Sequence, residues 1–200
     1  MGNTEKFEMI ANTYDTPERI QIAKVTSDAI RKYVVDAKSM NAMDFGCGTG
    51  LVGFNLVNEF QSMLFMDTSP NMIDRVKQKI ADLHLSNAGT LCFDFEKSAP
   101  SNLHVDYIFM AQVLLHIRDT ELVLSRLFEV LNEGGHLIIV DFDKNEKIVS
   151  TMVHNGFHQA ELTDMMARIG YKDIQSETFY HGSNIFMGQD ASMFILDARK

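Results

Sequence analysis

Cysteine, proline and long apolar segments are scarce in this sequence of 200 residues, and tryptophan is absent. The two cysteines, Cys47 and Cys92, are too few and too far apart for a zinc knuckle or a disulfide framework, so we expect reduced thiols. No apolar run approaches the roughly 20 residues that span a bilayer, and the polar N-terminus lacks the apolar core of a signal peptide. These absences predict a cytoplasmic protein without a membrane partner.

Basic residues are also few. The 18 lysines and arginines stand against 27 acidic residues, which gives a net charge of −9, and the sequence contains no long basic run. A protein that binds nucleic acid or anionic membranes needs the opposite charge. The composition therefore argues against nucleic acid as a partner and favours a neutral or cationic small molecule.

The length and composition fit one domain over residues 1–200. Within it, residues 1–38 are predicted to be helical, because Thr16-Pro17 is a helix start and apolar residues then recur at helical spacing. We expect this segment to form a lid over a ligand-binding core that comprises residues 39–200.

From Met40 onward, strand and helix patterns alternate. The predicted strands are 40–45, 63–66, 90–93, 105–110 and 136–142. The predicted helices are 70–83, 119–134 and 158–169, with Ser69-Pro70 and Asp119-Thr120 as starts and Gly134-Gly135 as a stop. Several strands are almost continuously apolar, which indicates a parallel sheet covered by helices on both faces.

The last third of the chain breaks this alternation. Two strand-like stretches, 171–180 and 191–198, are joined by about ten residues without a helical pattern. A crossover between parallel strands takes a dozen residues or more. The sequence therefore predicts an antiparallel hairpin at the C-terminal end of the sheet.

A glycine-rich turn follows the first strand and allows two interpretations. Residues 48–53 match the dinucleotide pattern G-x-G-x-x-G, with Asp67 about 20 residues further on. In that register, however, Gly46 and Cys47 would be extra residues between the end of the strand and the start of the motif. Asp44 would also repel a pyrophosphate bound at a helix N-terminus. An NAD(P)-linked oxidoreductase is therefore kept as the alternative function.

The other register, residues 44–50 in the order Asp-Phe-Gly-Cys-Gly-Thr-Gly, resembles the D-x-G-x-G-x-G signature of class I S-adenosylmethionine (SAM)-dependent methyltransferases. SAM carries a sulfonium cation and no phosphate. A carboxylate such as Asp44, at ~4 Å from a cation, contributes about 4 kcal/mol at an effective dielectric of ~20 before desolvation. The resemblance extends from about Tyr14 to the C-terminus. It implies a Rossmann-like α/β fold with a seven-stranded, mostly parallel sheet, an antiparallel C-terminal hairpin strand and helices on both faces.

The resemblance also implies a site for SAM, which leaves as S-adenosylhomocysteine (SAH). Asp67 is similar to the acid that accepts hydrogen bonds from both ribose hydroxyls, as one carboxylate can do. Asp94 looks like the acceptor for the adenine amino group, with Phe95 or Met72 covering the ring. The cofactor-binding residues implied in this way are Tyr14, Asp44, Gly46, Cys47, Gly48, Gly50, Asp67, Thr68, Met72, Asp94, Phe95 and Gln112.

Methyl transfer needs a base only when the acceptor must lose a proton, because the methyl carbon is already activated. His116 follows strand four at the edge where ligands bind in open α/β sheets. It is therefore the candidate catalytic residue, with a structural role as the alternative. His154 and His158 stand four residues apart, but Gly156 interrupts the helix that would align them, and no metal site is expected.

The sequence departs from the branches of this family that modify nucleic acids. Residues 111–114 lack the polar residue, two prolines and aromatic residue of amino-methylating DNA enzymes, and no Pro-Cys pair exists for attack on cytosine. We expect a monomeric or homodimeric SAM-dependent methyltransferase that holds a small molecule between the N-terminal helices and the loops after strands four and five. A catalytically silent SAM-binding module is a further alternative.

Overall fold

The computed structural model describes residues 8, 9, 11–98, 100 and 102–200, so residues 1–7 and 10 of the predicted lid lie outside the described residues. The α-helices are α1 (Pro17–Arg31), α2 (Leu51–Leu56), α3 (Pro70–Asp82), α4 (Thr120–Val130) and α5 (Gln159–Ile169). The strands are β1 (Asn41–Phe45), β2 (Ser62–Asp67), β3 (Ala88–Cys92), β4 (Val105–Ala111), β5 (Leu131–Phe142), β6 (Lys172–Phe186) and β7 (Gln189–Arg199). Short 3-10 turns occur at Ala11–Thr13, Ala37–Ser39, Val57–Glu59 and Leu114–His116. None of the helices in this part of the chain has the length and apolarity needed to cross a bilayer.

The seven described strands form one sheet in the order β3-β2-β1-β4-β5-β7-β6. Strands β1 to β5 are parallel, and β7 is antiparallel to both β5 and β6. This arrangement confirms the predicted Rossmann-like sheet. The chain builds outward from β1 on one side and from β4 on the other, so the carboxyl ends of these two strands form the crevice where such folds bind ligands.

Three helices begin where the sequence predicted them. Thr16, Ser69 and Asp119 each accept a hydrogen bond from the backbone N–H three residues further on, at 3.4, 3.1 and 3.0 Å. Pro17 and Pro70 then take the first helical position, where a proline sacrifices no hydrogen bond. The caps therefore confirm the predicted helix starts.

The sheet is buried on both faces, which explains its almost continuously apolar strands. In β4, Ile108 and Met110 pack in the core on one face, whereas Tyr107 and Phe109 pack in the core on the other. Adjacent residues of a strand point to opposite faces, and these four residues are at most 3% exposed. Side chains of α4 and α5 complete the first core and those of α1, α2 and α3 the second, so helices cover both faces as predicted.

The boundary between α4 and β5 differs from the predicted one. The helix ends at Val130, before Gly134-Gly135, because Leu131 already pairs with β4. Residues 132–135 then bulge out before the pairing resumes. A Cβ at Gly135 would lie 2.9 Å from two backbone oxygens. The glycines therefore allow a bulge inside β5 and do not end the helix.

The C-terminal hairpin is confirmed, but its strands are longer than predicted. They extend to a two-residue turn, Met187-Gly188, in place of the predicted connection of about ten residues. Both turn residues have left-handed φ values, +51° and +76°, which two-residue hairpin turns require. A register shift between Gly182 and Phe186 interrupts the alternation by which a strand is recognised in sequence.

Candidate active site

A cavity of about 620 Å³ lies at the carboxyl edge of the parallel strands, where the strand order changes direction. Its walls come from the glycine turn after β1, the loops after β2, β3 and β4, the first turns of α1 and the β6–β7 hairpin. The predicted site residues that line it are Tyr14, Gly46, Cys47, Gly48, Asp67, Thr68, Met72, Asp94, Phe95, Gln112 and His116. The fold therefore brings most of the predicted residues to one place.

The glycine turn wraps around the end of β1. Gly46, Gly48 and Gly50 all have left-handed φ values, +67°, +53° and +83°. Gly46 has no room for a side chain, since its Cβ would lie 2.6 Å from Val113 Cγ1. The turn can thus pack tightly against the loop after β4 while its backbone faces the cavity.

Asp44 lies behind the glycine turn and, like Gly50, is not among the described residues that line the cavity. Asp44 Oδ2 accepts a hydrogen bond from the Gly53 N–H at 3.0 Å, and a Cβ on Gly53 would approach that oxygen to 2.5 Å. Burial raises the pKa of the carboxyl group from 3.8 to about 7. In place of the predicted contact with a cofactor cation, the structure gives Asp44 a contact that supports the start of α2.

Asp67 ends β2 and connects two loops at the cavity. Its Oδ2 accepts a hydrogen bond from the Gly48 N–H at 2.8 Å, and its Oδ1 accepts one from the Ser69 N–H at 2.9 Å. Burial raises the pKa of this carboxyl group as well. The Thr68 N–H also stabilises this carboxylate, and since a carboxylate offers about four lone-pair positions, capacity for a further donor remains. The arrangement suits a ligand that donates a hydrogen bond from a hydroxyl group.

Asp94 and three apolar side chains form the next part of the wall. Asp94 lies two residues beyond the end of β3 and borders the cavity. Phe95 and Met72 are at most 2% exposed, so both contribute chiefly to the core beneath the cavity. Phe93 also lines the cavity and is only partly buried. The sequence prediction missed Phe93, although its place directly before Asp94 was an available signal.

Tyr14 precedes α1 and covers the glycine turn. Its Cε1 atom would lie 3.8 Å from a Cβ on Gly48. The Arg19 guanidinium stacks over the Tyr14 ring at 4.2 Å, and its Nη1 donates to the Tyr14 carbonyl oxygen at 2.9 Å. Burial raises the pKa of the Tyr14 phenol. The first turn of α1 thus holds the tyrosine over the part of the cavity where it was predicted.

Three residues from separate segments, Asp15, Thr49 and Lys79, form a latch that joins the segment before α1 to the glycine turn and to α3. Lys79 Nζ donates to Asp15 Oδ2 and to the Thr49 carbonyl oxygen, both at 2.8 Å. The Thr49 hydroxyl donates to the other oxygen of Asp15. Sequence reasoning missed Thr49 and Lys79, because no local pattern connects residues that meet only in the fold.

Gln112 and His116 line the cavity after β4. Gln112 has a left-handed φ of +56°, and its N–H donates to the Val140 carbonyl oxygen at 2.7 Å. Such backbone strain in a side-chain-bearing residue is found preferentially at functional sites. His116 ends the 3-10 turn that follows, which places it at the cavity as its position after strand four predicted.

A buried carboxyl group holds this 3-10 turn. Asp141 Oδ2 accepts a hydrogen bond from the Leu115 N–H at 3.1 Å, and Oδ1 accepts one from the Phe142 N–H at 2.8 Å. Burial raises the pKa of Asp141 to about 7. Sequence reasoning also missed this residue, whose signal was a single acid inside the apolar run of β5.

His154 has a partner in the loop after β4. Its Nε2 lies 2.8 Å from the Ile117 carbonyl oxygen, and its ring packs beside Phe157 at 5.4 Å. His158 occupies the N-cap position of α5. Among the residues that the structure describes, no three possible ligands come together as a metal site would need.

A family model described as a methyltransferase domain matches residues 36–187 of the chain. An uncharacterized methyltransferase of Schizosaccharomyces pombe is 20% identical, over 78% of this chain and 67% of its own length. Phosphoethanolamine N-methyltransferase 2 of Caenorhabditis elegans is 25% identical, over 68% of this chain and 33% of its own length. The chain thus spans between a third and two thirds of these curated relatives.

Two solved methyltransferase structures share the fold. Haemonchus contortus phosphoethanolamine N-methyltransferase 2, in complex with phosphomonomethylethanolamine and SAH, has a TM-score of 0.73 at 15% identity and covers 88% of this chain and 52% of its own. A SAM-dependent methyltransferase from Aquifex aeolicus has a TM-score of 0.70 at 19% identity. The match covers 96% of this chain and 97% of the Aquifex chain. Since the family model matches more than half of its residues, the chain belongs to the methyltransferase domain family, within the class I SAM-dependent methyltransferases that its glycine turn resembles.

Proposed function

We propose that the protein transfers a methyl group from SAM to a small molecule in the cytoplasm. The observation that carries the proposal is Asp67, which faces the cavity with both oxygens held by backbone N–H groups and with capacity left for a hydroxyl donor of the ligand. We infer further that residues 1–200 act as one domain, in which residues 1–38 form a lid over a core of residues 39–200.

The chemistry of the cavity wall suits SAM better than a dinucleotide. Asp67 and Asp94 are acidic, and among the described lining residues Arg19 is the one Lys or Arg. Such a wall attracts a cation and repels a pyrophosphate. Asp67 would accept hydrogen bonds from the ribose and Asp94 one from the adenine amino group, while Tyr14 and the backbone of residues 46–48 would enclose the amino acid end. When bound, SAM supplies a methyl group on a positively charged sulfur.

The protein residues would act mainly by positioning the two reactants and by excluding water from the site. Tyr14 and the latch hold the lid against the glycine turn, and a closed site orients two reactants without solvent between them. His116 would accept a proton where the acceptor atom carries one. Asp141 holds the backbone of the turn on which His116 stands.

The size of the cavity and the net charge of the protein both favour a small-molecule acceptor. A volume of about 620 Å³ lies within the range of small-molecule sites, and a net charge of −9 disfavours nucleic acid. The C. elegans relative is named for phosphoethanolamine, which is also small. We expect the enzyme to work as a monomer or a homodimer.

Calorimetric titration with SAM, SAH and NAD tests the cofactor assignment. We expect SAM and SAH to bind and NAD not to bind. Asp67→Ala should weaken SAH binding by about 1.5–3 kcal/mol, the contribution of a hydrogen bond to a charged group. Asp74→Ala removes an exposed carboxylate from α3 and should leave SAH binding unchanged. Binding of NAD without SAM or SAH would contradict the proposal.

Methyl transfer itself needs a second measurement. Incubation of the protein with methyl-labelled SAM and a metabolite extract should label a small molecule, and Asp67→Ala should reduce the rate of labelling. A protein that binds SAH but labels no compound in extracts from several sources would be a silent SAM-binding module, which would contradict the enzymatic part of the proposal.

A further inference from the structure

A bulge in β6 forms one wall of the cavity. Between its pairs at Gly182 and Phe186, β6 places residues 183–185 opposite a single residue of β7. Three residues cannot all continue a ladder opposite one, and all three line the cavity. The β6 bulge, residues 183–185, thus brings side chains from the edge strand of the sheet to the site.

Contacts on both sides hold the β6 bulge in place. Phe186, which follows it, stacks on Phe142 with 4.2 Å between ring centroids and 7° between ring planes. The Asn184 N–H donates to Asp190 Oδ1 at 3.0 Å, and Asn184 has a left-handed φ of +58°. The bulge is therefore a defined wall and not a loose loop.

The surroundings of the β6 bulge are apolar. Ile185 packs over Gly182, where a Cβ would lie 2.8 Å from Ile185 Cγ2. Ile22 and Ala23 of α1, and Phe142 at the end of β5, line the same cavity. In the sheet, β5 and β6 stand on the opposite side of β1 from β2 and β3. The cavity thus has a second end, separate from the one that suits SAM.

The charge on the cavity wall is one-sided. Glu18 lies one helical turn before Ile22 on α1 and both line the cavity, so this carboxylate stands beside the apolar second end, whereas Asp67, Asp94 and Glu96 border the SAM end. Against them, Arg19 already stacks on the Tyr14 ring and donates to its carbonyl oxygen. Recognition of a phosphate or carboxylate normally uses an arginine whose guanidinium can donate two hydrogen bonds to the ligand. An anionic acceptor would therefore meet repulsion at this wall and little compensation.

We propose that the β6 bulge is the specificity-determining wall of the acceptor site. Together with Glu18 it selects a neutral or cationic acceptor whose apolar part packs against Ile185, Ile22 and Phe142, and this end disfavours acceptors that carry a phosphate or a carboxylate. This inference rests on the proposed function, since it assigns the second end of the cavity to the methyl acceptor.

The test compares two probes that share a phenyl ring and differ in charge. SAH-loaded protein is titrated with phenethylamine and with phenyl phosphate, and binding is followed by ligand-observed NMR. We expect phenethylamine to bind severalfold more tightly, because Glu18 at this end of the cavity favours the cation. Equal or tighter binding of phenyl phosphate, or no binding of either probe, would overturn the inference.

Substitutions of Ile185 show whether the β6 bulge makes the contact. Ile185→Ala should weaken phenethylamine binding by about fivefold through lost apolar contact, and Ile185→Lys should shift the preference toward phenyl phosphate. Val149→Ala is the matched control, because Val149 is 92% exposed and does not line the cavity. Unchanged probe binding in both Ile185 variants would overturn the inference. SAH binding is measured in every sample: its absence contradicts the proposed function, whereas SAH binding without selectivity contradicts the inference alone.

Discussion

Replacing Asp141 by Asn tests how a buried carboxyl group holds the turn that carries His116. The two oxygens of Asp141 accept hydrogen bonds from the Leu115 and Phe142 N–H groups. A protonated carboxyl group still offers its carbonyl and hydroxyl oxygens as acceptors, whereas an amide has one acceptor oxygen and its NH2 group would face the other N–H. One buried N–H then has no acceptor, which lowers the free energy of unfolding by about 1–3 kcal/mol.

The size of this loss depends on pH, because burial raises the pKa of Asp141 from 3.8 to about 7. Between these values the folded protein holds a proton that the unfolded chain has released. The unfolding free energy of the wild type therefore falls by ~1.4 kcal/mol for each unit of rising pH. Asp141→Asn lacks this titration, so its deficit should shrink by ~2 kcal/mol from about pH 5 to about pH 6.5. Asp44, also buried with a pKa of about 7, is present in both proteins and its contribution cancels.

Urea unfolding of the two proteins at both pH values measures the deficit. Asp119→Asn is the control, because it makes the same change at an exposed helix cap that Asn also satisfies. A deficit that stays constant with pH would refute the raised pKa. A variant as stable as the wild type at the lower pH would refute the hydrogen-bond argument.

Two other substitutions test the packing of the glycine turn and the latch. Gly53→Ala would place a Cβ 2.5 Å from Asp44 Oδ2 and should lower the free energy of unfolding in urea by about 1–3 kcal/mol. Gly89→Ala, where the closest neighbour of the Cβ lies at 4.0 Å, should lower it far less. Equal losses in the two variants would contradict the steric argument. Lys79→Met breaks the latch and should weaken SAH binding severalfold in calorimetry. Lys77→Met, on the same helix but in an exposed ion pair, should change stability by less than about 1 kcal/mol and leave SAH binding unchanged. Equal SAH affinities in the two variants would rule out the latch.

The fold, and the meeting of most predicted site residues around one cavity, could be predicted because their signals are local. Thr16 and Ser69 cap helices within three residues of their own positions. Asp67 directly follows an apolar strand, and the carboxyl ends of parallel strands meet at one edge of the sheet. Short-range patterns of this kind need no knowledge of which segments pack together.

Asp44 marks the limit of such reasoning. Its sequence position beside the glycine turn is correct, yet its carboxylate contacts Gly53 and not the cavity. The direction of that side chain depends on how closely α2 approaches β1, which is a property of packing. The latch and the acceptor wall were missed for the same reason, since Lys79 and Ile185 reach the site from distant segments.

Because of the β6 bulge, the residues proposed to contact the acceptor are not the residues that pair the two strands of the hairpin. Residues 183–185 stand outside the regular ladder, while the pairing of Phe186 with β7 and its stacking on Phe142 close the strand behind them. Exchange of these three residues therefore leaves the register of the hairpin intact. A sheet built in this way can acquire a new acceptor preference by changing one short segment, without rebuilding the core that binds the methyl donor.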